Sequence, residues 1–137
     1  MIANRVWMID PHSGGRPIPS SLQHAIRSRI QEHAHANYGN RFDRLAIDFK
    51  KQFCHLAFYR PIPPISYKPF RMTFEEYVEH IKTDPIKMCR LRFFDIDRWS
   101  CAFFTYSTEA YKPCIFPSGE WFGTVEEGFD IGATHFE

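Results

Sequence analysis

Between Arg44 and Arg60 apolar and polar side chains separate with a period of two. Leu45, Ile47, Phe49, Cys54, Leu56 and Phe58 fall on one side of such a ribbon. Arg44, Ala46, Asp48, Phe53, His55 and Tyr59 fall on the other. The separation is clean only if the segment is extended, because successive residues of a strand point to opposite faces. A hairpin follows, with one apolar face for a core. Placing Lys50-Lys51 in a two-residue turn pairs Phe49 with Gln52, Ile47 with Cys54 and Leu45 with Leu56. Two lysines suit a primed turn poorly, since neither favours positive φ, and a longer loop is the alternative.

Met88 to Ser107 reads as a second hairpin around Asp95-Ile96-Asp97-Arg98. A two-residue turn sets Phe94 opposite Trp99, Arg92 opposite Cys101 and Arg90 opposite Phe103. One face then carries Arg90, Arg92, Phe94, Trp99, Cys101 and Phe103, and the other Cys89, Leu91, Phe93, Ala102 and Phe104. A short fifth strand, Cys114 to Phe116, leads into a turn at Pro117-Ser118-Gly119-Glu120. Arg5 to Asp10 would add a short edge strand.

Three helices interrupt these strands. The first begins near Ser20, where Ser20 and Gln23 match a capping box. Leu22, Ile26, Ile30 and Ala34 then recur every four residues and give one apolar stripe. Asn37-Tyr38-Gly39-Asn40 stops it. Thr73 with Glu76, and Thr124 with Glu127, mark two more capping boxes. Phe74, Tyr77, Val78 and Ile81 follow the first of these, and Phe129, Ala133 and Phe136 the second. Residues 1–19 read as an N-terminal arm and loop, and 61–72 as a Pro-rich connection. The order is helix, hairpin, helix, hairpin, short strands, helix, with no repeating strand–helix–strand unit. It predicts an α+β fold: an antiparallel sheet of about four to six strands with helices packed on one face, in a two-layer single domain spanning 1–137.

Composition narrows the class. Aromatic residues make up 17% of the 137 positions, so the core is rich in rings. The formal charge is +1, which removes the large basic excess typical of many nucleic-acid binders but leaves room for a local basic patch. No apolar run approaches the roughly 18 residues that a membrane span requires, and the first ten lack the pattern of a secretion signal. Cys54, Cys89, Cys101 and Cys114 form no C-x-x-C pair. Free, buried thiols in the cytoplasm are the simplest expectation.

The C-terminal half resembles a family of small uncharacterised bacterial proteins. The similarity lies in Cys89-Arg90-Leu91-Arg92-Phe93-Phe94, Trp99-Ser100 and Phe103-Phe104-Thr105-Tyr106-Ser107. It continues through Tyr111-Lys112-Pro113-Cys114-Ile115-Phe116-Pro117-Ser118-Gly119 and Gly123-Thr124-Val125-Glu126-Glu127, and reaches back to Gln52-Phe53-Cys54. The resemblance implies no activity, cofactor or catalytic residue.

The candidates for chemistry are few. The cysteine spacings match no zinc-ligand pair, H-E-x-x-H is absent, and no metal or cofactor is expected. Asp48 and His55 share the face away from the core, where a carboxylate could orient an imidazole as a general base. No nucleophile motif accompanies them. The acids Glu75, Glu76, Glu126 and Glu127 sit in first turns of helices, where the helix dipole favours them. Arg90, Arg92, Phe94, Trp99 and Phe103 interleave cations with rings on one strand face, the pattern by which sheets neutralise and stack single-stranded nucleic acid. A helix lying over that face would give the same residues a structural role. The leading expectation is a non-enzymatic binding or adaptor domain acting on a protein or a single-stranded nucleic acid, with no membrane partner. The rival is a small hydrolase-like enzyme using Asp48 and His55.

Overall fold

The computed structural model describes residues 10–136. The elements run α1 (Ser20–Tyr38), β1 (Arg44–Lys50), β2 (Phe53–Tyr59), α2 (Phe74–Thr83), β3 (Ile86–Asp95), β4 (Arg98–Thr105), β5 (Ala110–Cys114) and α3 (Val125–Gly132), closed by a 3₁₀ turn at Ala133–Phe136. The five strands form one antiparallel sheet in the order β1-β2-β3-β4-β5. Each strand therefore pairs with its neighbours in sequence. Helices α1 and α3 pack on each other and on one face of this sheet, and α2 packs against β2. The α+β, two-layer expectation holds. The proposed strand Arg5–Asp10 lies almost wholly outside the described residues.

The core sits between the sheet and the α1/α3 pair. Ile26 and Ile30 come from α1, Ile47 from β1, Cys54 and Leu56 from β2, Leu91 and Phe93 from β3, Trp99 from β4, and Val125 and Phe129 from α3. Helix α3 approaches β3 closely because Gly128 faces Leu91 and Gly132 faces Cys89. Two polar clamps fix α1 on α3. The Arg29 guanidinium donates to both carboxylate oxygens of Glu126 at 2.9 and 2.7 Å and to Asp97 at 2.8 Å. His33 and Tyr38 both reach Asp130 Oδ1, at 2.7 and 2.8 Å. Among the described residues no helix is long and apolar enough to cross a membrane.

The capping boxes of α2 and α3 form as expected, with Thr73 and Thr124 as N-caps. That of α1 does not. Pro19 occupies the N-cap position without a side-chain bond, Ser20 is already helical, and the Gln23 amide donates instead to the Ile18 carbonyl at 3.3 Å.

Three strand expectations need correction. In the first hairpin the turn is Lys51-Gln52, with Lys50 paired to Phe53 and Ile47 to Leu56. This differs from the expected pairing by two residues, so the faces are unchanged. Lys51 takes φ 55°, and the Ile18 N–H donates to its carbonyl at 2.8 Å, which pins the turn. In the second hairpin Asp95 pairs with Arg98, as a two-residue turn requires, but Phe93 rather than Phe94 then pairs with Trp99. Phe94 is the extra residue of a β-bulge, and it shifts every later pair by one. Lastly, the fifth strand is Ala110–Cys114 rather than Cys114–Phe116. Phe116 instead anchors a turn, its N–H donating to the Glu120 carbonyl at 2.8 Å.

Candidate functional site

The bulge at Phe94 divides the expected arginine–aromatic face in two. Trp99, Cys101 and Phe103 stand opposite Phe93, Leu91 and Cys89 on the side covered by α3. Trp99 is 0% exposed, and its indole N–H donates to the Ile96 carbonyl at 2.9 Å. Phe103 lies flat against the His135 ring, with centroids 4.3 Å apart. Phe94 meets Phe122 edge to face at 5.2 Å. Neither Trp99 nor Phe103 shares a strand face with the arginines.

Arg90 and Arg92 stand on the other side of the sheet, cross-strand from Ala102 and Ser100 of β4 and from His55 and Phe53 of β2. The Arg90 guanidinium lies 4.5 Å from the Phe53 ring centroid and 5.0 Å from that of Tyr111. Arg92 lies 4.7 Å from the Phe53 ring as well. Phe53 thus serves both cations through its π-face. Among the described residues neither arginine has a carboxylate within salt-bridge distance.

Arg92 is committed to a loop. Its two terminal nitrogens donate to the carbonyls of Gly14 and His12 at 2.8 and 3.1 Å. The Arg16 N–H adds a bond to the Phe93 carbonyl at 3.0 Å. Gly15 has φ 84°, and a Cβ there would meet the Phe93 carbonyl oxygen at 2.7 Å, so only glycine lets the loop lie this close to β3. The loop brings His12 to a cavity of about 110 Å³ that Arg90, Arg92, Ser100, Ala102, Tyr111 and Pro113 also line.

A wider, more open groove of about 410 Å³ adjoins this cavity at Tyr111 and runs past His55, Asp48, Lys50 and Lys87. Among the described residues no helix lines either hollow. Asp48 and His55 are direct cross-strand partners. Their side chains do not hydrogen-bond; the His55 Nδ1 instead lies 3.4 Å from the Tyr111 hydroxyl. Burial, and then the nearby Arg90 charge, lowers the His55 pKa below its ordinary value. Burial does the same to His12. Both imidazoles are therefore neutral donors or acceptors near neutral pH.

No family model, curated protein or solved structure matches this chain. Its chemistry is read from its own geometry. All four cysteines are free thiols. Cys101 faces Cys114 across β4 and β5, on the covered side rather than beside Arg92. Burial pushes the Cys54 thiol up to about 12, far from the thiolate form that reacts or binds metal. Among the described residues no three His, Cys, Asp or Glu side chains form a metal-binding group.

Sequence patterning found Arg90, Arg92, Asp48 and His55 but missed His12, Ser100 and Tyr111. His12 belongs to a Gly- and Pro-rich loop with no period to reveal its direction. Ser100 was hidden by the bulge, which moved it onto the arginine side. Tyr111 lay outside the expected fifth strand. The adjacent Gly14-Gly15 was the one available signal that this loop makes a close approach.

Proposed function

We propose that this chain is a non-enzymatic binding domain whose helix-free sheet face takes single-stranded nucleic acid. The observation that carries this is Arg90, a half-buried guanidinium laid across the rings of Phe53 and Tyr111 without a carboxylate partner among the described residues. Cations interleaved with rings on an open antiparallel sheet neutralise phosphates and offer planar surfaces to bases. Arg92, Lys50 and Lys87 extend the positive character along the same face, while Asp48 is its acidic margin. The net charge of +1 makes the attraction local to this face. A cytoplasmic location fits the four free thiols.

The test is fluorescence anisotropy with a labelled single strand at low salt. Binding that weakens as salt rises, and that is lost with Arg90→Ala in a protein of unchanged melting temperature, supports the proposal. Failure of the wild-type protein to bind at low salt overturns it and leaves a protein partner as the occupant of this face.

A further inference from the structure

We propose that the cavity under the His12 loop is a receptor for a phosphomonoester, and that it seats the terminal phosphate of a bound strand. The source of that phosphate rests on the nucleic-acid reading above; the chemistry of the cavity does not.

Size comes first. At about 110 Å³ the cavity holds the equivalent of three or four waters at roughly 30 Å³ each, the scale of one tetrahedral oxyanion. The cavity is also more enclosed than the groove beside it. An enclosed hollow suits a group that terminates a chain, whereas a phosphodiester must leave on both sides.

The lining supplies donors and no carboxylate. Arg90 and Arg92 contribute positive charge, and Tyr111 and Ser100 contribute hydroxyls. Ser100 is the one buried polar residue among the described residues. His12 Nε2 is buried without a hydrogen-bond partner. An unsatisfied buried polar atom is costly, and an anion oxygen accepting from the Nε2–H tautomer would remove that cost. The nearest acid, Asp10, is already occupied: its carboxylate accepts from the His12 backbone N–H at 2.8 Å and from the Ser13 hydroxyl at 3.1 Å.

The cavity is also built, not incidental. Gly15 permits the loop's approach to β3, Arg92 ties down the carbonyls of Gly14 and His12, and Trp121 meets the His12 ring edge to face at 5.1 Å. Together these hold the imidazole over the arginines. Arg92 is a positioning residue, since its terminal nitrogens serve the loop. Arg90, His12 and Ser100 are the groups that would meet the phosphate.

Isothermal titration calorimetry separates the possible sources. Its ligands are one short single strand with a 5′-phosphate, a 3′-phosphate or hydroxyl ends, together with inorganic phosphate. One phosphorylated strand should bind at least about tenfold more tightly than the hydroxyl-ended strand, the scale of one charge-assisted hydrogen bond. His12→Ala and Ser100→Ala should each erase most of that difference while keeping the affinity for the hydroxyl-ended strand. Thermal melts verify that both variants fold. Equal affinity for all three strands, with no binding of inorganic phosphate, overturns the cavity proposal and leaves the nucleic-acid reading standing. Binding of inorganic phosphate that depends on His12, with no strand bound at all, keeps the cavity proposal and overturns the nucleic-acid reading.

Discussion

Gly128 of α3 stands so near Leu91 of β3 that a Cβ on the glycine would come within 2.5 Å of a Leu91 methyl. Leu91 is fully buried, so the methyl has nowhere to go. Gly128→Ala gains about 1 kcal/mol of helix propensity. It loses about 1–3 kcal/mol to overpacking, so the variant should be net destabilised in urea unfolding. Leu91→Ala introduced together with Gly128→Ala should cost less than the sum of the two single changes, because the clash goes with the side chain. Additive losses would show that the contact is not shared.

The two sides of the second hairpin make opposite predictions. Trp99→Ala removes a fully buried ring tilted against Phe93 and should cost about 3–5 kcal/mol. Arg90→Ala should leave the melting temperature nearly unchanged and abolish strand binding. If the two residues shared one ligand surface, Trp99→Ala would weaken binding in a protein of normal stability.

The first hairpin offers a check of face. Ile47 is buried and Asp48, the next residue, is exposed. Ile47→Asp buries an unpaired carboxylate and should destabilise by several kcal/mol, on the order of the transfer cost of such a group. Asp48→Ala should change stability by less than about 0.5 kcal/mol. Large and equal losses from both would place the strand in the wrong register.

Acid should loosen the fold before its carboxylates titrate. Burial lowers the pKa values of His55 and His135 from the ordinary 6.5. Below that value the unfolded chain takes up protons that the folded chain resists, so more protons are bound in the unfolded state. Stability is therefore full above the unfolded pKa and is lost as pH falls toward the folded one. The melting temperature should decline as pH falls from about 7 through the ordinary histidine value of 6.5, and His55→Gln combined with His135→Gln should flatten the slope. A wild-type melting temperature constant across that interval contradicts the assignment. The Glu126 carboxylate, held below its ordinary 4.5 chiefly by Arg29, contributes a separate loss at lower pH.

Much of this fold was legible because period-two alternation survives errors of two. The first hairpin turns at Lys51-Gln52 instead of Lys50-Lys51, yet Ile47 still faces the core and Asp48 does not. The second hairpin shows the reverse case. Its turn was placed correctly, and one bulged residue, Phe94, was enough to put Trp99 and Phe103 on the wrong side. No propensity marks such a bulge, since Phe93 and Phe94 are identical in type. The site was half legible for a related reason. Arg90 and Arg92 are two apart on a strand and must share a face. His12 reaches them from a loop some eighty positions away, and only the hydrogen bonds of Arg92 and the close approach at Gly15 establish that neighbourhood.

The meander has a consequence for how the molecule is made. Because each strand pairs with the one before it, the sheet can grow in the order of synthesis, with short turns to close everywhere but between β2 and β3, where α2 intervenes. Its apolar side has no such schedule. Leu91 and Trp99 wait for α3, the helix that follows all five strands, and α1 gains its clamp at Glu126 from that same helix. Docking of α3 is therefore the step that closes the apolar side of β3 and β4, and a chain cut before Val125 would present that side to solvent.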